Sequence, residues 1–527
     1  MTHDVVIVGA GPVGLSTAIA LGQRGHSVVV LERWPQAYPL PRAVHFDHEV
    51  GRLLASCGIG DDLRAHSEPA EVYEWRNADG VVLLRFGRIG LGASGWPESS
   101  MFSQPDVEAA LETRAAALPT VTIRRGVDVT GVTDHGDGVE VHTADGTTHA
   151  GRYVVGCDGA NSTVRAQLGV EMVDLGFFHD WLIVDVILDE ARVFDPLNVQ
   201  VCDPARPTTM VSGGPGRRRW EFMALPGEDR NALKDIDRAW ELLAPWDVTP
   251  HNARLERHAV YTFGARYATR WRVGRVLLAG DAVHQMPPFA GQGMCAGVRD
   301  AVNLSWKLDA VLSGHAPTAL LDCFQTERLP SAIAAIEFSI ELGKVICVAD
   351  PAEAAARDAA MSAAVTDELT EAAELPGITT GVIHPAVSGA GSLSVHGTSS
   401  GRWLDDVYPP GWRLVSLAAA ADADPSGNAN ADPSDHLGID PDQRDWFTAL
   451  GGTFVAVTDP GAGLAEWFDR HGARHALVRP DFIVFGTAPD ADDAAGLLAE
   501  LRHQLTHPET TTGSTVSEPQ HTTGGTP

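Results

Sequence analysis

The chain has 527 residues, 44% hydrophobic and 20% charged, with 69 acidic against 39 basic residues and a formal charge of −30. That length allows two or three domains with sizeable cores. The charge argues against nucleic acid or an anionic membrane as main partner, while leaving a local arginine free to meet an anionic ligand. Six cysteines (Cys57, Cys157, Cys202, Cys295, Cys323 and Cys347) are scattered without a CxxC pair or a histidine at ligand spacing. That speaks against a metal site or a disulfide framework and for a reduced, cytoplasmic setting. The N-terminal apolar run lacks a basic leader and carries Asp4, so it reads as a strand rather than a signal peptide. No other segment is long and apolar enough to span a bilayer.

In chain order, DVVIVG at Asp4–Gly9 is a β-branched run of the kind found in buried parallel strands. Gly9, Gly11 and Gly14 form GxGxxG within GAGPVG; Leu15–Gly25 reads as a helix, and SVVVL is a second strand closed by Glu32. This βαβ context gives the motif its dinucleotide meaning. Gly9 permits the turn, Gly11 admits a pyrophosphate to the backbone, and Gly14 lets helix and strand pack. The helix N-terminus offers free N–H groups, and Glu32 can accept from a ribose hydroxyl. NAD and FAD stay equally open at this point.

Two further strands deliver acids at their tips. RYVVGCDGANSTVR ends a strand at Asp158-Gly159, and RVLLAGD ends one at Gly280-Asp281, before a Pro- and Gly-rich loop and a helix. Ligands of open α/β sheets bind at such C-terminal strand ends. Ahead of both, Glu74–Trp96 reads as a hairpin turning at ADG; between them, Gly176–Tyr267 contains the alternating stretches WLIVDVIL and RRRWEFMAL of a second sheet. Val345–Leu375 is alanine-rich and reads as helix. WRLVSL, GGTFVAVTD and ALVRPDFIVFG read as strands, and AAGLLAELRHQL as a last helix. Ala418–Asp435 reads as a mobile loop and 506–527 as a disordered tail.

Taken together, GAGPVG…LER, GCDGANSTVR and GDAVHQMPPFAGQGM resemble the single-component, class A flavoprotein aromatic hydroxylases. PRAVHFDHEV, FSQPDVEAAL, RRRWEFMALPGE and MPPFAGQGMCAGVRDAVNLSWKL bring the resemblance nearest to the 3-(3-hydroxyphenyl)propionate hydroxylase branch. It implies an α/β fold: a Rossmann-like FAD-binding domain of the glutathione-reductase and p-hydroxybenzoate-hydroxylase type, an inserted β-sheet substrate domain, and a C-terminal thioredoxin-like domain. The expected boundaries are 1–73, 97–175 and 271–344 for FAD; 74–96 and 176–270 for substrate; 345–392 for a helical connector; and 393–505 for the thioredoxin-like domain. The last has no CxxC, so packing or homodimer formation is its expected role.

The resemblance implies FAD as cofactor, NADPH or NADH as donor, O2 as co-substrate and no metal. Oxygen would add to the flavin C4a carbon, and the resulting hydroperoxide would hydroxylate a phenol ring; the alternative is tailoring of a polyketide or other polycyclic natural product. A third reading is an FAD-binding protein without oxygenase activity. By the same resemblance Glu32 meets the adenosine ribose, Arg42 and Gln104 sit near the pyrophosphate and ribityl chain, Val127 lies beside adenine, and Asp158, Gly159 and Asp281 touch FAD. Pro12, Val13, Ala43, Gly280, Pro288, Gly291, Gln292, Gly293 and Met294 fall in the same motifs. Arg33 reads equally as a cofactor residue or a surface arginine. His45 is the candidate base by its ordinary titration range, with a packed histidine as the alternative; Asp47 reads as a helix cap and His284 as the holder of a backbone carbonyl. Met223, Tyr261, Pro287 and Phe289 are candidate pocket walls. Arg206 or the Arg217–Arg219 run would hold a substrate carboxylate.

Overall fold

β-branched residues place the first sheet at the centre of the molecule. The computed structural model describes residues 2–365, 369–371, 375–417, 437 and 439–508. Five parallel strands run in the order Val276–Leu278, Thr148–Gly156, Thr2–Val8, Val28–Glu32, Val121–Arg125. Register sets Val5 beside Val28 and Tyr153, and Val5, Val6, Ile7, Val28, Val29 and Val30 are fully buried. Burial on both faces is why these strands are continuous apolar runs rather than alternating ones.

Helix Pro12–Gly22 starts with Pro in its first turn, and Gly11 before it supplies no side-chain cap. It crosses the long buried helix Gly293–Leu312 closely: a Cβ on Gly297 would meet a Val13 methyl at 2.6 Å. Asp281 follows the short strand Val276–Leu278 directly, at the same sheet edge as the Gly9 turn.

A nine-stranded sheet stands over this frame. Its central strands are Ala253–Ala268, Met172–Leu188, Arg217–Met223, Thr208–Ser212 and Asn198–Val201, continued by the Val72–Arg76 and Val82–Gly87 hairpin. Alternation sorts its two faces. Leu182, Val184, Val186, Trp220 and Phe222 pack on helix Ile236–Leu243. Ile183, Asp185, Arg219 and Glu221 take the opposite face and line a cavity or its support.

The C-terminal sheet has the order Thr453–Val457, Arg413–Leu417, His475–Val478, Val484–Ala488, with helices Pro441–Ala449, Ala462–His471 and Ala491–Thr506. The stretch expected as one strand, ALVRPDFIVFG, is a hairpin turning at Pro480–Phe482, with Phe482 at φ +61°. This sheet docks on the back of helix Gly293–Leu312, where Trp306 meets Trp412 edge-on at 5.4 Å.

The connector corrects the sequence reading. Helix Pro351–Ala364 is present, but Thr370–Glu371 adds a parallel edge to the nine-stranded sheet beside Phe86 and Gly87, and 376–392 carries no helix. The helix ends at Ala364, before the strand Thr370–Glu371, and further on the chain is held in a turn where a Cβ on Gly391 would strike the Ile378 carbonyl. The proposed loop 418–435 lies outside the described residues, as does the proposed tail beyond Pro508; Thr506 closes the last helix. Among the described residues no helix is long and apolar enough to cross a membrane, and no group of His, Cys, Asp and Glu could hold a metal ion.

Candidate active site

One continuous cavity of about 780 Å³ runs from the Gly9 turn past Asp281 to the polar face of the large sheet. At its first end, Gly9 has φ +105°, and a Cβ there would lie 2.4 Å from the Cys157 carbonyl oxygen. A Cβ on Gly14 would lie 2.0 Å from the Gly9 carbonyl oxygen, so Gly14 acts by packing and does not line the cavity. Gly11 is different: a Cβ there would meet only an Arg42 nitrogen at 3.9 Å. The backbone is open there, next to uncapped helix N–H groups, which suits a pyrophosphate.

Glu32 lines this end. Its Oε2 accepts from the Ala10 N–H at 2.8 Å and its Oε1 from the Trp34 N–H at 2.9 Å. Gln104 accepts from the Ala43 N–H at 2.5 Å and donates to Glu108 at 2.5 Å, while Arg42 reaches the same Glu108 oxygen at 3.4 Å. Pro12, Val13, Arg33, Val127, Asp158, Gly159, Asp281, Pro288, Gly291, Gly293 and Met294 also line the cavity. Asp158 accepts from the Ser162 hydroxyl and from the Val164 N–H at 3.1 Å, which fixes its loop. The groove offers free donors at two helix starts, acids at strand tips and room beside Gly11, a donor set that fits FAD.

Several predicted residues fall elsewhere. Gly280, at φ +63°, packs on Val13 and does not line the cavity. The buried Gln292 side chain donates to Asp47 at 3.1 Å instead of facing the cavity. Asp47 caps its helix through the Val50 N–H and also binds Arg299 at 2.7 Å. His284 is fully buried against Asp300 at 2.6 Å, a carboxylate rather than the expected carbonyl.

Arg206 lies outside the cavity. It makes a two-pronged bond to Glu228 at 2.6 and 2.9 Å and donates to the Met223 carbonyl, so its charge is already matched. Met223 is buried behind Trp181 and Pro287 beneath its neighbours, and neither lines the cavity; Pro288 and Phe289 do. Phe289 packs edge-on against Trp181 at 5.6 Å and Phe263 at 6.1 Å. Tyr261 lines the cavity under the Arg257 guanidinium, 4.5 Å from its ring centre.

His45 lines the cavity but is poorly suited as a base. Burial, helped by the Arg88 charge, lowers its pKa to about 4. Its ring nitrogens lie 3.2 Å from the Gly291 carbonyl and 3.0 Å from the Ser99 hydroxyl. The residue holds the Gly291 turn, where a Cβ would strike its ring.

The sheet face carries Arg219, expected as part of the arginine run, together with Asp185, Glu221 and Arg257, to which the sequence reading gave no role. Arg219 grips Asp185 at 2.7 and 3.1 Å and donates to the Arg42 and Pro41 carbonyls at 2.6 and 3.1 Å. Arg257 also donates to the Pro41 carbonyl. Glu221 is 6% exposed, lines the cavity, and has Arg219 at 3.7 Å as its nearest cation. Burial raises its pKa most; Arg219 opposes this, Asp185 adds to it, and Arg257 opposes it. The available signal was alternation: Asp185 interrupts WLIVDVIL, and Arg219 and Glu221 stand two apart in RRRWEFM. Arg88 lines the same cavity, and among the described residues its side chain makes no hydrogen bond or ion pair.

Comparison with known proteins agrees with this geometry. A family model described as FAD binding domain matches residues 2–339, and one described as HcaD C-terminal domain matches 394–504. The chain is 40% identical over 517 residues to a probable NADH-specific resorcinol 4-hydroxylase of Rhodococcus jostii (strain RHA1), covering 94% of each chain. It is 32% identical over 546 residues to a 3-(3-hydroxy-phenyl)propionate/3-hydroxycinnamic acid hydroxylase of Burkholderia cenocepacia (strain HI2424), covering 95% of this chain and 96% of the relative. A crystal structure of aklavinone-11 hydroxylase with FAD and aklavinone superimposes with a TM-score of 0.73 at 25% identity, covering 95% of this chain and 98% of that one. The chain belongs to the class A FAD-dependent aromatic hydroxylases, monooxygenases that use a nicotinamide nucleotide and O2 to hydroxylate an aromatic ring.

Proposed function

We propose that this hydroxylase acts on a small phenol with a polar substituent meta to the hydroxyl, of the 3-(3-hydroxyphenyl)propionate kind, with NADH as donor. One observation carries this reading: the single cavity joins the dinucleotide groove to an aromatic and polar sheet face. That space is shared with the cofactor, which favours a small ring over a polycyclic one. Arg88 supports an acidic substituent, since a carboxylate would give its guanidinium a two-pronged partner. A resorcinol-type substrate is the second reading, favoured by the 40% identity to the Rhodococcus relative.

In this reading residues 1–73, 97–175 and 271–344 hold FAD, 74–96 and 176–270 cover the substrate, and the thioredoxin-like region 393–505 packs against the helix behind the flavin groove. Six unpaired thiols support a cytoplasmic setting. Bound FAD supplies the activation of O2 and its transfer to the ring. The chain's task is to place the ring, favour its ionised form and exclude water. Glu32 and the free N–H groups after Gly11 anchor the cofactor's far end, Phe289 and Phe263 wall the ring, and His45 fixes the Gly291 turn beside it.

The test is NADH oxidation by the purified flavoprotein, with product and peroxide measured together. A meta-hydroxyphenyl acid or resorcinol is expected to raise the rate and be hydroxylated with little peroxide. Turnover restricted to polycyclic phenols would overturn the proposal.

A further inference from the structure

We propose that Glu221 is the proton acceptor that activates the phenol, a role for which His45 and Tyr261 are poorly placed. The inference rests on the reading that the cavity holds a phenol.

Buried carboxyl groups ordinarily have hydrogen-bond partners. Glu221 is 6% exposed and faces the cavity, and its carboxylate accepts no hydrogen bond among the described residues; Arg219 at 3.7 Å is beyond hydrogen-bond reach. Its carboxylate opens into the cavity without a protein hydrogen-bond donor, so a ligand that excludes water there must itself supply the donor. A phenol hydroxyl does.

The competing groups are already engaged. His45 is occupied at both ring nitrogens, and Tyr261 lies stacked beneath Arg257. Arg206 is outside the cavity.

The groups facing Glu221 suit the transfer. Arg219 and Asp185 stand one register row along the sheet, Thr209 and Ile183 are its direct cross-strand neighbours, and Arg257 and Tyr73 complete the charged and titratable set around it. Arg219 still has an unused N–H beyond its four bonds, able to steady a phenolate as the proton leaves. Burial holds the carboxyl pKa above the ordinary range, nearer to that of a phenol, which favours proton transfer.

In the step, the phenol O–H bond breaks and its proton joins the Glu221 carboxylate. The oxygen lone pair enters the ring, and the ortho or para carbon takes the electron-poor hydroxyl (formally OH+) that the enzyme's O2 chemistry supplies, so the phenolic C–O becomes a carbonyl. The proton at that carbon passes to water, its C–H electron pair restores aromaticity and returns the carbonyl to a phenolate, and Glu221 gives its proton back to that oxygen.

The test uses the holoenzyme and a series of ring-fluorinated phenols of rising acidity. For a phenol un-ionised at the assay pH, Glu221→Gln is expected to lose about 100-fold or more in hydroxylation while NADH oxidation continues and peroxide accumulates. For a phenol already ionised, the loss should shrink below about tenfold. Glu221→Asp should restore part of the rate with the wild-type trend. A deficit uniform across the series, or none, would overturn the assignment. If Glu221→Gln does not retain flavin, the same series on Glu221→Ala, which also removes the base, decides by the same slope. Wild-type enzyme inert toward every small phenol would instead sink the proposed function, independently of the variant.

Discussion

Two buried carboxylates, Glu327 and Glu221, show how differently one chain treats the same group. Glu327 is saturated. Its Oε2 accepts from Asn303, Lys307 and Arg479 at 2.7–2.8 Å, and its Oε1 accepts from the Val382 N–H at 2.9 Å. Asp481 balances the second cation by binding Arg479. Burial alone would raise the Glu327 pKa; Arg479 and then Lys307 overcome this and hold it at about 2. Glu221, nearly as buried but open to the cavity, accepts no side-chain hydrogen bond among the described residues, and burial keeps its pKa raised. The first joins the flavin-groove helices to the C-terminal sheet; the second waits at a cavity wall. Saturation is what structural charge requires, and an unfilled valence marks the place where something else belongs.

The widest break of this comparison is Glu327→Ala. It leaves Lys307 and Arg479 buried without their shared partner and is expected to cost about 3–5 kcal/mol, read as a drop in the denaturation midpoint. The pH dependence has a definite sign. The folded pKa lies below the ordinary 4.5, so the stabilisation is complete above that value and is lost as pH falls from about 4.5 through about 2. Glu327→Gln should flatten that acid limb.

Gly14→Ala comes next. Its Cβ would lie 2.0 Å from the Gly9 carbonyl oxygen, so the turn must open, and FAD retention should weaken by roughly tenfold or more, about 1.4 kcal/mol. Flavin fluorescence titration measures it; undiminished affinity would show that the groove tolerates a shifted turn. The smallest effect separates a free arginine from a paired one. Arg88→Ala should raise KM for a meta-hydroxyphenyl acid several-fold and leave that for resorcinol unchanged. Arg206→Ala should change neither beyond about twofold, because Glu228 already holds that charge. Equal effects of the two substitutions would return Arg206 to the substrate.

The groove was legible because local chemistry dictates it. A βαβ turn with Gly9, Gly11 and Gly14, and acids at strand tips, announce themselves within a few residues each. The substrate wall was not legible in the same way. Arg219, Glu221, Asp185 and Arg257 come from three strands, and only their register places them together. Of the three arginines read as a partner for a substrate carboxylate, Arg218 and Arg219 are buried, one over Phe194 and the other on Asp185. Arg206 misled because its partner Glu228 lies 22 residues away, beyond any short motif. His45 lines the cavity, but burial and its two contacts, invisible in sequence, lower its basicity.

The Pro41 and Arg42 carbonyls, held by Arg219 and Arg257, bear on how such an enzyme changes over generations. The same two guanidinium groups line the sheet-face floor of the cavity and tether the segment that carries Arg42 into the dinucleotide groove. A substitution that remodels the floor for a new ring therefore also loosens that segment. New specificity here is inherited together with altered grip on the cofactor, so the viable route passes through residues such as Thr209 and Ile183, which shape the floor and leave the tether alone.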